Sequence, residues 1–323
     1  MRAAYYEKNG TAREVLRVAE VETPLAGPGE VRVKLASSGV NPSDVKTRQG
    51  ATRKIAYPRV IPHSDGAGVI DQAGNGVATS RIGERVWIWN GQWKRASGTA
   101  ADYIVVPAEQ AVVLPDNVSF SEGACFGIPA TTAFRALELA DLAEGATVLI
   151  AGGAGAVALY CTQVAEQRGC SVITTVSSAE KAALSQSFGA GHTINYKTED
   201  VGERVMQITG KRGVDAVIEL DLTANARLIP AVLRPKGSVI VYGTGPQAAV
   251  PGFFMLVNSI RMQFLLVYEL DQAERERTVG AISHALEQRR LKHNVGQTFP
   301  LAEIAAAHEA VEAGAIGNVI VTL

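Results

Sequence analysis

Residues 147–176, TVLIAGGAGAVALYCTQVAEQRGCSVITTV, decide the fold that this sequence predicts. A short apolar run is followed by a glycine-rich turn, a longer stretch with helical patterning and a second β-rich run. Strand, helix and strand in this order form a βαβ unit, whose strands lie parallel in one sheet. The alternation continues through HTINY at 192, VDAVIEL at 214, SVIVYG at 238 and RMQFLLVYEL at 261. We therefore predict an α/β fold with a doubly wound parallel sheet.

The sequence before this region has a different pattern of residues. Short β-rich segments, VRVKLA at 31, GAGVI at 66, RVWIW at 85 and ADYIVV at 101, alternate with turns rich in Gly and Pro. This spacing is typical of a compact, barrel-like all-β unit. The end of the chain holds an amphipathic helical pattern, ERERTVGAISHALEQRR, a shorter helix around residues 302–313 and a final β run, NVIVTL. We expect this tail to rejoin the N-terminal domain.

Length and composition indicate a two-domain globular protein. The chain has 323 residues, with 47% hydrophobic and 20% charged residues, whereas a single domain usually has about 100–200 residues. Its net charge is −1 and its Lys and Arg are dispersed, so neither nucleic acid nor an anionic membrane is an expected partner. The start, MRAAYYEKNG, has no apolar region of signal-peptide length, and no stretch approaches the roughly 20 uninterrupted apolar residues of a membrane span. Three cysteines without a CxxC pair favour a reducing compartment, and we expect a cytoplasmic protein.

The turn after the first strand of the βαβ unit is the candidate dinucleotide site. Small residues there allow the backbone to approach a pyrophosphate at a helix N-terminus, where free N–H groups and the helix dipole attract an anion. Gly153 and Gly155 match the first two glycines of G-x-G-x-x-G, and Ala158 stands at the third. The βαβ context favours a nucleotide site over a plain tight turn. The residues expected to contact the cofactor are Gly152, Ala154, Gly155, Ala156 and Val157.

The end of the second strand distinguishes the two nicotinamide cofactors. NAD sites place an Asp or Glu there to bind the ribose 2′-hydroxyl, but this strand ends in TTVSS and the first acid is Glu180. The hydroxyls of Ser177 and Ser178 and the ammonium of Lys181 suit a 2′-phosphate instead. Taken alone, Lys181 could simply be a solvated lysine in the first turn of a helix. The absence of an acid at the strand end is therefore the stronger argument for NADPH over NADH. We therefore expect NADPH.

Taken together, the motifs resemble the medium-chain dehydrogenase/reductases, and within them the zeta-crystallin-like quinone oxidoreductases. The resemblance covers nearly the whole chain, and its motifs are more specific in combination than singly. They are SSGVNPSDVKTRQG at 37, IPHSDGAGVI at 61, EGACFGIPATTAFRAL at 122, the GGAGAVAL turn, KAALSQSFGAGHTINY at 181, VIVYG at 239 and the closing PLAEIAAAHEAVEAGAIGNVIVTL.

The resemblance implies a domain organisation and further contacts. It implies a Rossmann NADPH-binding domain at residues 123–267 and a GroES-like, β-barrel-type catalytic domain formed by both chain ends, 1–122 and 268–323, with the active site in the cleft between them. It also implies a homodimer, paired through the sheet edge near RMQFLLVYEL. Cofactor contacts are implied for Thr131, Gly243 and Asn318, and a lysine–tyrosine pair for the 2′-phosphate at Lys181 and Tyr196.

The resemblance further implies zinc-free chemistry. The alcohol dehydrogenase branch binds catalytic zinc through Cys, His and Cys, and the corresponding positions here are Asn41, Ser64 and Ile128. We therefore expect no metal, and we interpret His63 as a hydrogen-bonded loop residue. Asn41 stands where related enzymes place an amide near the nicotinamide and the substrate carbonyl, so it is our candidate catalytic residue. Its alternative role is that of a turn residue before Pro42.

The expected activity is zinc-free hydride transfer from NADPH to a quinone, a small-molecule acceptor. Tyrosines that related quinone reductases carry are replaced by Lys46 and Thr52. Trp87, Trp89 and Trp93 are candidates either for an aromatic wall of the acceptor pocket or for packing of the β domain. Two alternatives stay open. One is an NADPH-dependent enone or 2-alkenal double-bond reductase, and the other is a non-catalytic NADPH-binding protein with a crystallin-like or RNA-binding role, which the near-neutral charge disfavours.

Overall fold

The computed structural model describes residues 1–51 and 54–323 of the chain. Two compact units are formed. One comprises Met1–Pro129 together with Ile282–Leu323, and the other comprises Ala130–Ala281. We call them the N/C unit and the central unit.

The divisions between the units fall inside helical segments. The first lies in a π-helical turn, Phe126–Ala130, and the second in a long helix, Gln272–Glu287. The boundaries expected from the sequence, 122/123 and 267/268, come earlier in the chain in both cases. The helical pattern at 274–290 continues across the second division, so composition and periodicity do not mark it as a boundary.

The described residues form fifteen strands, most of them short. They are β1 (Arg2–Tyr5), β2 (Arg17–Glu20), β3 (Glu30–Val40), β4 (Asp65–Ala73), β5 (Arg85–Ile88), β6 (Tyr103–Pro107), β7 (Ala111–Val113), β8 (Thr147–Ile150), β9 (Ser171–Val176), β10 (His192–Asn195), β11 (Val214–Glu219), β12 (Leu233–Val241), β13 (Arg261–Phe264), β14 (Val295–Pro300) and β15 (Asn318–Thr322).

Twelve α-helices are found in the same residues. They are α1 (Ala12–Val15), α2 (Pro42–Gln49), α3 (Phe120–Gly123), α4 (Thr131–Ala140), α5 (Ala156–Gln167), α6 (Ala179–Ser187), α7 (Val201–Ile208), α8 (Leu222–Asn225), α9 (Ile229–Val232), α10 (Gly252–Val257), α11 (Gln272–Glu287) and α12 (Ile304–Glu312).

A parallel six-stranded sheet forms the centre of the central unit. Its order is β10-β9-β8-β11-β12-β13. The chain winds outward from β8 through β9 and β10, then returns to β11 and winds outward on the other side. This confirms the doubly wound sheet predicted from the sequence. The order reverses between β8 and β11, and open α/β sheets bind ligands beyond the carboxyl ends of their strands at such a switch point.

The inner strands of this sheet are largely apolar, which is typical of a parallel sheet covered by helices on both faces. All four residues of β8 are buried. Leu149, Ile173, Ile194, Val217 and Val239, from five neighbouring strands, belong to one buried cluster. Continuous burial of this kind produces the uninterrupted β-branched runs by which the strands were predicted.

The N/C unit is built around a mostly antiparallel sheet, in which β14 and β15 are the one parallel pair among the described residues and β3 has three antiparallel neighbours. β3 pairs with β4, β6 and β15, all antiparallel. β15 comes from the end of the chain, and its Val319 pairs with Val40 while Thr322 pairs with Ser37. The tail therefore rejoins the N-terminal part, as predicted. Closure of this sheet into a barrel stays a prediction.

Some elements of the N/C unit were not predicted. β1 and β2 form a separate antiparallel pair, Arg2–Tyr5 against Arg17–Glu20. All four residues of β2 are exposed, so β2 lacks the alternation of apolar and polar residues that marks a half-buried strand.

Among the helices of the described residues, none combines the length and the apolar character that crossing a membrane requires.

Candidate active site

The glycine-rich turn that follows β8 is fastened to the neighbouring strand β9. The Gly152 N–H donates to Thr175 Oγ1 at 3.1 Å, and the Gly153 N–H donates to the Thr175 carbonyl at 2.8 Å. Gly152 has a φ of +68°, a conformation that suits glycine. Sequence reasoning used Thr175 only as evidence of a missing acid. Its hydroxyl in fact helps to hold the turn.

The turn also packs too closely for larger residues at its second glycine. A Cβ at position 153 would lie 2.5 Å from the side chain of Thr174. Gly155 caps α5, and Ala158, at the place of the third glycine, is 1% exposed. The backbone of the turn is thereby held at the N-terminus of a helix of 12 residues, an arrangement that binds anions.

The predicted 2′-phosphate residues gather at the ends of β9 and β10. Ser178 caps α6 by accepting a hydrogen bond from the Lys181 N–H, so Lys181 lies in the first turn of that helix. The Lys181 ammonium has no hydrogen bond or ion pair with the rest of the described residues. Tyr196 follows β10, is 53% exposed, and donates its backbone N–H to Val176, the residue before Ser177. These side chains are thus placed at one edge of the sheet.

A cavity of about 540 Å³ opens at the carboxyl ends of the central strands. Its lining includes Gly152, Thr175 and Tyr196. The lining also includes Glu219, which is 4% exposed and accepts hydrogen bonds from the Asp221 N–H and the Asn225 amide. Burial raises the pKa of Glu219 against these two bonds. Sequence reasoning missed Glu219, although an acid that ends an apolar strand run could have drawn attention to it.

Two further predicted contacts lie in the central unit. Thr131 is fully buried at the start of α4. Gly243 follows β12, where a Cβ would lie 1.9 Å from the Leu220 carbonyl oxygen. Close approach of the two backbones therefore requires glycine there, whatever else position 243 contacts.

Asn41 and Asn318 come together in the N/C unit. Asn318 begins β15, and the next residue, Val319, pairs with Val40, which precedes Asn41. The Asn318 amide donates to the Asn294 carbonyl at 3.0 Å. Two predicted site residues far apart in sequence therefore lie at the same end of one strand pair.

Asn41 is joined to a buried carboxyl group. Its Nδ2 donates to Asp65 Oδ2 at 2.8 Å, and the two residues are 6% and 0% exposed. Asn41 is also the N-cap of α2, and its backbone N–H donates to Asp44. The catalytic and the turn interpretations are therefore both compatible with its position. Asp65 was not singled out from the sequence, although it lies in the quoted IPHSDGAGVI stretch.

The environment of Asp65 favours its neutral form. Burial raises the pKa of Asp65 well above the ordinary value for an aspartate, while the Asn41 amide and the Ile128 N–H oppose the shift. Within the described residues, Oδ1 has no partner in hydrogen-bonding geometry. A Cβ at Gly127 would lie 2.3 Å from that oxygen, so glycine leaves room for the carboxyl group.

The side chains at this place do not suit zinc. An amide, a hydroxyl and an aliphatic group stand at Asn41, Ser64 and Ile128, whereas zinc favours thiolate and imidazole. In residues 1–51 and 54–323 no three His, Cys, Asp or Glu side chains are grouped to hold a metal ion. His63 is fully buried and bonded to Ser38 at 2.8 Å, in keeping with its interpretation as a hydrogen-bonded residue.

The other residues considered from the sequence have ordinary surroundings. Trp87 is fully buried and meets Phe126 edge-on, with ring centroids 5.8 Å apart, so it packs the N/C unit. Lys46 is exposed on α2. Thr52 lies outside the described residues.

Two family models match the chain. The model described as "Alcohol dehydrogenase GroES-like domain" matches residues 27–116, and the model described as "Zinc-binding dehydrogenase" matches residues 156–284.

Relatives match over nearly the full length. The quinone oxidoreductase of Rattus norvegicus is 30% identical over 315 residues, which cover 96% of this chain and 94% of the relative. The 2-haloacrylate reductase of Burkholderia sp is 28% identical, with the same coverage. The solved structure of mycobacterial Rv1454c complexed with NADPH is 28% identical, with a TM-score of 0.88 and complete coverage of both chains. This chain therefore belongs to the medium-chain dehydrogenase/reductase family of oxidoreductases.

Proposed function

We propose that this protein is an NADPH-dependent quinone reductase that transfers hydride without zinc. The observation that carries the proposal is the buried Asn41–Asp65 pair, which presents a neutral amide where the alcohol dehydrogenase branch holds its metal. The similarity to quinone oxidoreductases supports the class of acceptor.

The residues of the central unit fit NADPH. The turn at Gly152–Gly155 and the N-terminus of α5 hold the pyrophosphate, because small residues and free N–H groups accommodate an anion there. Lys181 and Tyr196 hold the 2′-phosphate, with Ser177 beside them. The remaining proposed contacts are Ala154, Ala156, Val157, Thr131, Gly243 and Asn318. Bound NADPH supplies a hydride from C4 of its nicotinamide.

Asn41 acts on the acceptor as a hydrogen-bond donor. Its Nδ2 carries two hydrogens, and Asp65 engages one of them. The second donates to the carbonyl oxygen on which negative charge develops during reduction. Asp65 fixes the orientation of the amide. The quinone gains a hydride and then one proton from solvent, which completes its two-electron reduction.

Steady-state oxidation of NADPH and NADH by metal-free protein tests the proposal. The acceptors are ortho- and para-quinones and simple enones. We expect NADPH-dependent turnover of quinones, with an Asn41→Ala variant that loses about 100-fold in kcat and keeps its affinity for NADPH. Tight NADPH binding without turnover of any acceptor would instead favour the non-catalytic alternative.

A double-bond reductase is the second candidate. The 2-haloacrylate reductase, which matches the chain over the same length as the quinone oxidoreductases, favours it. The same hydride donor and the same amide serve both reactions, since an enone also develops negative charge on a carbonyl oxygen. Turnover of enones without quinones in the panel would select this candidate.

We also propose a homodimer. β13 is an edge strand of the central sheet, and Phe264 and Leu266 beside that edge are 61% and 54% exposed. Phe253 and Leu256 on the preceding helix α10 are 80% and 76% exposed. An open apolar edge of this kind is covered in most proteins. Sedimentation of the wild type as a dimer and of Phe264→Glu as a monomer would support edge pairing; a monomeric wild type would exclude it.

A cytoplasmic location forms the last part of the proposal. Cys125, Cys161 and Cys170 are all free and buried, which suits a reducing compartment. Fractionation of cells that produce the full chain tests it.

A further inference from the structure

Helix α12, near the end of the chain, contributes a fully buried histidine to the interior of the N/C unit. His308 Nε2 lies 2.9 Å from His63 Nε2, and neither side chain is exposed. His63 has a φ of +77°, uncommon for a residue with a side chain. A conformation of this kind is retained where its surroundings hold it.

A chain of buried hydrogen bonds continues from His63 to the strand that carries Asp65. His63 Nδ1 lies 2.8 Å from Ser38 Oγ, and Ser38 Oγ lies 2.7 Å from Thr99 Oγ1. Thr99 Oγ1 donates to the backbone carbonyl of Asp65 at 2.6 Å. α12 is thereby linked to the first residue of β4.

Each hydrogen in this chain has a defined direction. A carbonyl oxygen only accepts, so Thr99 donates to Asp65, and Thr99 must accept from the Ser38 hydroxyl. Ser38 then accepts from His63 Nδ1–H. Burial lowers the pKa of His63 to about 3, so its ring is neutral and accepts at Nε2. His308 must donate from Nε2.

A second buried connection joins α12 to α2. Arg48 of α2 is fully buried and forms an ion pair with Glu312 of α12. Arg48 also donates to the Gly10 carbonyl at 2.6 Å. Because Asn41 caps the other end of α2, this ion pair holds the helix that Asn41 begins.

We propose that His308 and Glu312 are positioning residues, through which α12 sets the geometry of the Asn41–Asp65 hydrogen bond. His308 acts on the strand that carries Asp65, through the hydrogen-bond chain described above. Glu312 acts on the helix that Asn41 begins, through its ion pair with Arg48. The inference rests on the proposed function in one respect, namely that the Asn41 amide serves the reaction. The end of the chain then carries part of the active-site geometry without touching the substrate.

Nitrogen NMR of the histidine rings tests the direction of the chain. In the full-length protein labelled with ¹⁵N-histidine, at neutral pH, we expect His63 as the Nδ1–H tautomer and His308 as the Nε2–H tautomer. Resonances are assigned by their loss in His63→Gln and His308→Gln. A charged ring or the opposite tautomer at either residue would overturn the proposed chain.

The side-chain amide of Asn41 gives a readout of position that needs no activity. Its ¹H–¹⁵N signals are assigned by their loss in Asn41→Ala. We expect them to shift in His308→Ala and to return toward their wild-type position in His308→Gln, which restores an N–H donor. Glu309→Ala is the matched control, because Glu309 lies on the same helix and pairs with exposed Arg13. Unmoved Asn41 signals in His308→Ala would refute the positioning role.

Kinetics then separate this inference from the proposed function. We expect His308→Ala to lower kcat about tenfold in the wild-type background and by less than about twofold in the Asn41→Ala background. Misplacing the Asn41 amide can slow the reaction only in a protein that still has this amide. The Kd for NADPH should stay unchanged in both. Equal losses in both backgrounds would mean a general structural defect and would overturn the inference. If Asn41→Ala itself leaves kcat unchanged, the proposed function fails, and the NMR shifts decide the positioning role alone.

Discussion

The side-chain amide of Asn41 lies 2.8 Å from Asp65 Oδ2 in the interior of the N/C unit. The amide brings no charge to this contact, and among the described residues Asp65 Oδ1 has no partner in hydrogen-bonding geometry. A buried carboxylate without a countercharge is costly, so the group keeps its proton instead. This physical situation leads to a prediction on stability.

Asp65→Asn should become more stable relative to the wild type as pH rises. Burial raises the pKa of Asp65 well above its ordinary value of 3.8, so the folded wild type holds a proton that the unfolded chain releases. Wild-type stability therefore falls as pH rises from about 4 toward the folded pKa, by up to about 1.4 kcal/mol per pH unit. Asn carries no such proton. Urea unfolding of both proteins from pH 5 to 8 measures the widening difference.

Asp102→Asn is the matched control for this experiment. Burial opposes the ionisation of Asp102, but hydrogen bonds from Arg2 lower its pKa overall. The Asp102 carboxyl group is thus ionised in both the folded and the unfolded state above pH 5. The difference in unfolding free energy between Asp102→Asn and the wild type should therefore stay constant with pH. If the unfolding free energies of Asp65→Asn and the wild type also differed by a constant amount across this pH range, Asp65 would be ionised in the folded protein.

Lys181→Ala should weaken NADPH and spare NADH. The ammonium has no partner among the described residues, and Lys181 lies in the first turn of the helix that follows β9. A hydrogen bond to a charged group contributes about 1.5–3 kcal/mol, so we expect a loss of about 10- to 100-fold in affinity for NADPH. Fluorescence titration with each cofactor measures it. Exposed Lys34 on β3 provides the control, Lys34→Ala, and equal losses for NADPH and NADH in Lys181→Ala would refute a 2′-phosphate contact.

Gly153→Ala should distort the glycine-rich turn. The new methyl group would lie 2.5 Å from Thr174, and overpacking of this kind costs about 1–3 kcal/mol of unfolding free energy. We also expect weaker NADPH binding. Gly280→Ala is the control, because α11 has open space there and Ala favours a helix by about 0.5–1 kcal/mol over Gly. Equal stability of the two variants would contradict the tight packing at position 153.

Much of the fold could be predicted because the central sheet imposes a strong pattern. Val148, Ile173 and Val217 lie in strands covered on both faces, so their apolar runs alternate with helices in the sequence. The exposed β2 and the short helices have no comparable pattern. The divisions at Pro129 and Ala281 lie within helical segments, which no change in composition marks.

The candidate site could be predicted only where it depends on local sequence. Gly153 and Lys181 follow strand ends that the pattern places directly. Asp65 and His308 acquire their surroundings from segments distant in sequence, His308 through a contact with His63 across 245 positions. Local periodicity contains no information on such a pair, and only the return of the chain to β3 brings it together.

The histidine pair should make the protein less stable in mild acid. Burial lowers the pKa of His63 to about 3 and that of His308 well below 6.5. Between these folded-state pKa values and about pH 6.5, the two histidines bind protons in the unfolded chain but not in the folded protein. The free energy of unfolding therefore falls as pH falls below about 6.5. From pH 7 to 5 the loss is about 2 kcal/mol for one histidine. His308→Gln removes the contribution of His308, so the stability of this variant should fall by less than that of the wild type over this range. Urea unfolding at pH 7, 6 and 5 checks the difference, and a fall as large in the variant would mean that His308 takes up its proton in the folded state.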